Sequence, residues 1–343
     1  MNRRCLLASG AAALAAPLLA PGRLAAQAPK RATIAMDWAF QGVTAPWTMA
    51  EDRGWFREAG ANVVVNRGFG SGDTVVKVAS GASDMGYADI YSVARFVGQN
   101  PGRRLVAFFM VHDRSALSVA VPGDSPIRLP SQLAGHTLAA PAGDASRDLF
   151  PLFASKSGFD PAQVSWQTVS PDLRETMLLR KQADGISGHI TTIAMNLKGI
   201  GVDLKTIRFF PYADFGLPLY GHTLFTTEAF AQANPDVLTA TIRGTVRGLR
   251  AMIADPAAAA EASRRREALL DVATERERIL LGIDVIFVTP HVREQGFGRV
   301  DMARLESTVA EVSQAFGMAQ PVRAADFYTD RYLPPAADLA FAA

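Results

Sequence analysis

The sequence predicts an α/β protein built from two similar lobes, and three features support this fold class. From Ala32 onward, apolar runs typical of strands alternate with segments of helical periodicity, which indicates crossover connections and mainly parallel sheets. About 315 residues follow a distinctive N-terminal segment, a length that favours two domains. GASDMGYAD (81–89) and KQADGISGH (181–189) both place an aspartate and a short apolar strand after a helix. Two such lobes would leave a cleft between them.

The strands and helices fall into two series. In the first, the strands TIAMDW, ANVVVN, DMGYAD and RLVAFFMV enclose helices predicted over 46–59, 73–80 and 91–97. In the second, the strands HTLAAPA, VSWQTV, DGISGH and TIRFFPY enclose helices predicted over 147–156, 171–182 and 191–198. The chain after LYGHTLFTT has mostly helical periodicity, and its mixed charge run EASRRREALLDVATERERI indicates a solvated helix face.

Residues 1–28 have the composition of a secretory signal peptide, with a basic start, an Ala/Leu-rich stretch and a small-residue end. The RRCLL segment is similar to a twin-arginine signal, and a general secretion signal with two arginines would look nearly the same. Two prolines break the apolar stretch, which is shorter than the roughly 20 residues that span a bilayer. We expect an exported protein, cleaved near 26–28, without a permanent anchor.

Removal of the signal peptide changes what the chain can do chemically. Cys5 is the one cysteine, so the mature chain has no disulfide, thiolate metal site or thiol nucleophile. The mature charges are 32 Lys and Arg against 33 Asp and Glu, and no polybasic face predicts a nucleic-acid partner. The histidines lack metal-binding spacing, and no G-x-S-x-G motif is present. We therefore expect no metal, no cofactor and no catalytic residue.

The glycine-rich stretch GFGSGDTV (68–75) raises the question of a nucleotide site. Gly72 is followed by Asp73 and Thr74 instead of Lys and Ser/Thr, so the stretch is not a P-loop, and its spacing does not fit a dinucleotide fingerprint. It predicts a loop that presents backbone N–H groups at a helix N-terminus to a polar or anionic ligand group. A plain glycine turn capped by a side chain is the alternative, and both can hold. The candidate ligand-binding residues are Gly70, Ser71, Gly72, Asp73 and Thr74.

The ends of the first-series strands supply further candidates. Open parallel sheets bind ligands beyond the carboxyl ends of their strands. An aromatic ring there can stack on a flat ligand, and a carboxylate bonded to a ligand N–H contributes about 1.5–3 kcal/mol. Trp38 has the alternative role of a core residue. The candidates from MDWAFQG and YADIY are Asp37, Trp38, Phe40, Gln41, Tyr87 and Asp89.

The second series offers a matching set. PAGDASRD (141–148) places Asp144 at a helix N-cap, and Arg147 could bind a carboxylate or sulfonate or could remain a surface arginine. GISGH brings Ser187 and His189 to the same edge of the sheet. Tyr220 lies where the chain returns to the first lobe, in a segment that also carries His222.

These segments together resemble a known family. DW at the first strand end, GWFREAGANVVV, GSGDTVVKVASGASDMGYAD, LPSQLAGHTLAAPAG and FYTDRYLP resemble the solute-binding proteins of ABC importers, in particular the group serving thiamine pyrimidine precursors, sulfonates and nitrate. The resemblance implies a two-lobed periplasmic binding protein of type II with two Rossmann-like lobes. It implies that 29–118 begin lobe one, 119–220 form lobe two and 221–343 return to lobe one with the C-terminal helices. The two crossover hinge segments would lie near 115–125 and 215–225.

The resemblance also implies a function. A monomer would hold a small solute between its lobes in the periplasm and deliver it to an ABC permease and its ATPase. Pyrimidine-binding members read D-W-x-P-N-x-x-H, whereas this chain has Phe40, Gln41 and Thr44 at the last three conserved positions. We expect a flat heteroaromatic ligand or an aromatic or other organic acid. The alternatives are an exported enzyme with His189 or His222 as general base, and a sensory subunit.

Overall fold

The computed structural model describes residues 29–318 and 321–341. The predicted signal peptide lies outside the described residues. The described chain forms two five-stranded sheets flanked by helices, so the predicted two-lobed α/β fold class is confirmed. No helix in the described part of the chain has the length and hydropathy needed to cross a membrane.

The first series ends at Met110. One predicted helix, 46–59, is divided because Gly54 adopts a left-handed conformation (φ 72°) that interrupts it. The elements are β1 (Lys30–Ala35), α1 (Ala45–Asp52), α2 (Trp55–Ala59), β2 (Ala61–Asn66), α3 (Ser71–Ala79), β3 (Met85–Asp89), α4 (Ile90–Gln99) and β4 (Leu105–Met110).

The second series runs from Leu117 to Pro211. Short 3₁₀ turns precede several of its strands and helices. The elements are β5 (Leu117–Pro122), β6 (Thr137–Ala140), α5 (Ala145–Asp148), α6 (Phe150–Lys156), β7 (Ser165–Thr168), α7 (Arg174–Leu179), β8 (Gly185–His189), α8 (Ile190–Gly199) and β9 (Ile207–Pro211).

The remaining chain starts with one strand and is otherwise helical. A π-helical turn, Ile283–Phe287, extends α12. The elements are β10 (His222–Thr227), α9 (Glu228–Ala233), α10 (Pro235–Ala254), α11 (Pro256–Arg266), α12 (Val272–Gly282), α13 (Pro290–Gln295), α14 (Met302–Ala315) and α15 (Ala336–Leu339).

The two sheets share one strand order. The first is β2-β1-β3-β10-β4 and the second is β7-β6-β8-β5-β9. In each sheet, one strand (β10 or β5) runs antiparallel to both of its neighbours. The sequence predicted mainly parallel sheets, and the antiparallel strand is in each case the one that the chain enters after crossing from the other sheet. The chain crosses at 111–116 and again at 212–221.

The internal repeat has a structural counterpart. The Asp84 carboxylate accepts the backbone N–H of Thr33 at 2.8 Å, and the Asp184 carboxylate accepts that of Thr137 at 2.9 Å. Asp84 therefore links the start of β3 to the neighbouring strand β1, and Asp184 links the start of β8 to β6. The two aspartates, which are 100 residues apart, therefore occupy equivalent positions in the two lobes.

The longest C-terminal helix, α10, packs on the first lobe. α10 buries Leu238, Ile242, Val246 and Leu249 in the core that also holds α1 and α2. The helices approach closely because Gly248 has no side chain: a Cβ there would lie 2.1 Å from the carbonyl oxygen of Pro46. This packing fixes the loop after β1, which forms one wall of the cleft.

Candidate functional site

A cavity lies between the lobes, beyond the carboxyl ends of the parallel strands. The free volume inside it is about 30 Å³, so the lobes are nearly closed on each other. Eight residues proposed from the sequence line it: Asp37, Trp38, Gln41, Gly70, Ser71, Tyr87, Asp144 and His189. Eight others in the wall were not among those candidates: Val43, Thr44, His112, Ala145, Arg174, Thr192, His222 and Ile286.

Eight of the proposed residues lie outside this wall. Phe40 packs against the core of the first lobe, and the Tyr220 hydroxyl accepts the N–H of Asp301 at 2.8 Å. Arg147 donates to the Thr168 hydroxyl at 2.8 Å and lies over the ring of Trp166, 5.1 Å from its centroid. The others outside the wall are Gly72, Asp73, Thr74, Asp89 and Ser187.

The glycine loop contacts the second lobe. The N–H of Gly72 donates to the carbonyl of Gly143 in the second lobe at 3.0 Å. The N–H groups of Gly68 and Gly70 donate to Trp38 and Asp37 carbonyls at 2.9 and 2.6 Å. In this state of the protein all three glycine N–H groups have protein acceptors, and the presentation of N–H groups by this loop to a ligand stays a prediction.

The side chains of the same loop also have protein partners. Asp73 pairs with Lys77 at 2.6 Å, and the Thr74 hydroxyl donates to the Met36 carbonyl at 2.8 Å. The Ser71 hydroxyl accepts the N–H of Asp89 at 3.1 Å and remains in the cavity wall. Gly70 and Ser71 are thus the loop residues that lie in the cavity wall.

Asp37 and His222 form an ion pair in the first-lobe wall. His222 Nε2 lies 2.5 Å from Asp37 Oδ2, and the histidine is fully buried. Burial alone would lower the pKa of His222. The charge of Asp37 and its hydrogen bond, together with Asp89 and Asp144, outweigh burial and raise the pKa above its ordinary value. The imidazolium form is therefore favoured beside the carboxylate.

Two further imidazoles surround His222. Their ring centroids lie 4.9 Å (His112) and 4.7 Å (His189) from that of His222, and His112 Nε2 lies 2.7 Å from the Tyr87 hydroxyl. Burial, followed by the charge of His222, lowers the pKa of His112 well below its ordinary value and that of His189 to about 3. Both are neutral at pH 7. In the described ranges, no three His, Cys, Asp or Glu side chains are arranged to hold a metal.

Arg174 supplies the cation of the second-lobe wall. Its guanidinium donates to Glu175 at 2.7 Å, lies 3.7 Å from Asp144 and is 5.3 Å from the ring centroid of Trp38 on the opposite wall. It reaches the cavity from α7 by passing Gly188, where a Cβ would lie 2.2 Å from Nη1. The sequence led to Arg147 instead. The feature that could have pointed to Arg174 is Gly188, the second glycine of GISGH, because a residue without a side chain there leaves room for the guanidinium.

Asp89 lies behind the cavity, at the N-cap of α4. One carboxylate oxygen accepts the N–H of Tyr91 at 3.0 Å, and the other is buried without a partner among the described residues. Burial raises the pKa of Asp89 to about 7, although the charge of His222 opposes this shift. The folded state therefore binds a proton that an unfolded aspartate releases near pH 4.

This shift predicts a pH-dependent stability. The contribution of the protonated Asp89 side chain to the free energy of unfolding is fully present below about pH 4 and is lost as pH rises through 7. Asp89→Asn keeps the N-cap and removes the titration, so its stability relative to the wild type should rise by about 3–4 kcal/mol between pH 4 and 8. Urea denaturation across that range measures the difference. Asp301→Asn, at the exposed N-cap of α14, is the control, and an equally flat difference for both variants would contradict the assignment.

A model of the NMT1/THI5-like family matches residues 41–259, more than half of the chain. The chain belongs to the NMT1/THI5-like family. This NMT1/THI5-like protein is 23% identical over 327 residues to the riboflavin-binding protein RibY of Chloroflexus aurantiacus, covering 93% of this chain and 91% of RibY.

Solved structures share the fold of this NMT1/THI5-like protein. The alkanesulfonate-binding protein SsuA of Xanthomonas axonopodis pv. citri, bound to MOPS, superposes with a TM-score of 0.68 at 16% identity, covering 88% of this chain and 98% of SsuA. The periplasmic nitrate-binding protein NrtA of Synechocystis gives 0.65 at 11% identity, covering 90% and 88%. The resemblance to ABC-importer solute-binding proteins and the type II periplasmic binding protein fold are thereby confirmed.

Proposed function

We propose that this protein is the solute-binding component of an ABC importer. Exported to the periplasm and released near 26–28, it would act as a monomer that captures a small organic solute and delivers it to a membrane permease. The observation that carries this proposal is a cavity walled by both lobes, with Trp38 on one side and Arg174 on the other. A ligand in contact with both walls favours closure, because the open state lacks half of those contacts.

The charges of the wall favour an uncharged ligand. Arg174 is already neutralised by Glu175 and Asp144, and His222 by Asp37. Burial keeps His112 and His189 neutral. Among the described residues of the wall, no cation remains free to pair with a carboxylate or sulfonate, and burying an unpaired anion is costly. We therefore propose a flat, uncharged heteroaromatic ligand in preference to an organic acid.

The shape and remaining polar groups fit the same ligand. Trp38 provides aromatic surface for a planar ring, whereas the ring of Tyr87 is packed between Trp47 and His222. Asp37 uses one carboxylate oxygen for His222, which leaves the other to accept a ligand N–H. The His189 ring has no hydrogen bond to the described residues and can donate and accept. The riboflavin-binding name of the relative RibY agrees with this class of ligand.

The same pKa directions support binding over catalysis. A general base works best when its pKa lies near the operating pH. His222 carries a raised pKa and is occupied by Asp37, while the pKa of His189 falls to about 3. Neither imidazole is suited to removing a proton at pH 7.

Trp38 provides the direct test of the ligand-binding role. Riboflavin and an uncharged aminopyrimidine are offered as probes, with taurine and benzoate as charged comparisons. We expect a rise in melting temperature with one or both heteroaromatic compounds, and at least a tenfold weaker affinity in Trp38→Ala because the stacking surface is lost. Differential scanning calorimetry and titration measure both effects.

Trp166→Ala is the matched control, since Trp166 stacks under Arg147 away from the cavity. It should bind like the wild type. Native mass spectrometry of the purified protein would identify a co-purified solute directly. Stabilisation by taurine or benzoate but by no heteroaromatic compound would overturn the ligand class. A protein that responds to no solute and keeps one scattering profile would overturn the binding function.

A further inference from the structure

A second buried ion pair lies outside the cavity, on α12. Glu275 and Arg278 are 2% and 3% exposed, and Arg278 Nε and Nη2 donate to the Glu275 carboxylate at 2.9 and 3.0 Å. Burying such a pair has a desolvation cost that good geometry and additional hydrogen bonds must offset. The role of this ion pair therefore depends on the other groups to which it is hydrogen-bonded.

Those other groups lie on both lobes. Arg278 Nη1 donates to the carbonyls of Thr191 and Thr192 at 2.9 and 3.2 Å, in the first turn of α8 in the second lobe. Its Nη2 also donates to the Asn196 side chain at 2.9 Å. On the first lobe, Glu275 accepts the N–H of Gly42, in the loop after β1. The pair thus joins α8 to the loop that forms the opposite wall of the cavity.

Both ends of this network reach cavity residues. Asn196 donates to Glu175 at 3.3 Å, and Glu175 holds the guanidinium of Arg174. On the other side, Gly42 follows Gln41, whose amide donates to the Thr192 hydroxyl at 3.1 Å. The placement of Arg174 and of Gln41 in the wall therefore depends on α8 lying against α12.

We propose that Arg278 is a positioning residue. It holds the two lobes together in the absence of ligand, and it sets the geometry of the cavity although it is not part of the cavity wall. The inference rests on the proposed function, in which the closed form binds the solute. The three bonds from Arg278 to the second lobe exist only while α8 contacts α12, so they favour the closed form whatever solute is bound. Part of the free energy that favours closure therefore comes from contacts within the protein and is present without any solute.

The experiment measures lobe closure with no ligand. Cysteines replace the exposed residues Ala82 and Gln163, one on each lobe, in a chain that carries Cys5→Ser. Spin labels at these positions report the interlobe distance by double electron–electron resonance. We expect a detectable closed population in the otherwise wild-type chain, and a closed-to-open ratio at least about tenfold lower in Arg278→Met.

Three variants separate closure from folding. Arg247→Met removes an arginine that pairs with Glu58 on the surface of the first lobe, and it should leave the distances unchanged. Arg278→Lys keeps the charge and should give an intermediate ratio. Asn196→Ala removes one link and should lower the ratio by about threefold; it carries the test if Arg278→Met does not fold.

An unchanged distance distribution in Arg278→Met and Asn196→Ala would overturn the inference, as would a free protein without a closed population. Because no solute is added, either result stands apart from failure of the proposed function. That function fails in the solute titrations, whereas this inference fails in the free protein.

Discussion

Arg174→Met should destabilise the protein by about 3–5 kcal/mol and abolish solute binding. Arg174 is 1% exposed and lies between the carboxylates of Glu175 and Asp144, which are themselves buried. Removing the guanidinium leaves these acidic groups without their cation in a medium that solvates them poorly, and such losses are among the largest for single substitutions. Urea denaturation followed by circular dichroism measures the free energy of unfolding.

Two further variants test the cause of this loss. Arg147→Met removes an arginine of the same lobe that lies outside the cavity, and it should cost less than about 1 kcal/mol and leave binding intact. The double variant Arg174→Met/Glu175→Gln should recover part of the stability, because one uncompensated charge is gone. Equal losses for Arg147→Met and Arg174→Met, or no recovery in the double variant, would contradict this account.

Gly72→Val should weaken solute binding at least tenfold while changing the free energy of unfolding by less than about 1 kcal/mol. A Cβ at Gly72 would lie 3.1 Å from Cα of Gly143, and the two further methyl groups of valine need space that the opposite backbone fills. The substitution therefore opposes closure. Within its own lobe, Gly72 lies in α3, where valine is an acceptable helix residue. Titration of the identified solute and small-angle scattering of the bound protein measure the effect.

Gly102→Val is the control, since nothing lies within 4 Å of a Cβ at that glycine. It should bind like the wild type. Wild-type affinity and a wild-type scattering profile in Gly72→Val would show that the two loops are free to separate without consequence for binding.

The fold was largely accessible from the sequence because periodicity and the repeated Asp84 and Asp184 segments are local signals. The placement of β5 and β10 was not, since an antiparallel partner is chosen by long-range pairing after each crossing. The candidates Asp37, Tyr87 and His189, chosen from strand ends, line the cavity. Such reasoning works where a side chain lies in the last residues of a strand or just after it.

The wall residues that were not predicted reach the cavity from positions that residue spacing in the sequence does not reveal. Arg174 extends from a helix past Gly188, and His112 lies in a crossing segment whose place depends on both sheets. Arg147 and Arg174 look alike in the sequence, but only the second is deeply buried. The glycine loop contacts the second lobe, and the acceptors of its glycine N–H groups could not be predicted, because one of them lies as far away in sequence as Gly143.

The contact of Gly72 with Gly143 also limits what the closed protein can enclose. Gly72 and Gly143 meet through bare backbone, which has no rotamers with which to make room for a protruding substituent. A solute group that reached between them would separate the two loops and break their hydrogen bond. We therefore expect this contact to favour solutes that lie wholly inside the cleft, a steric criterion that acts in addition to the polar groups of the wall.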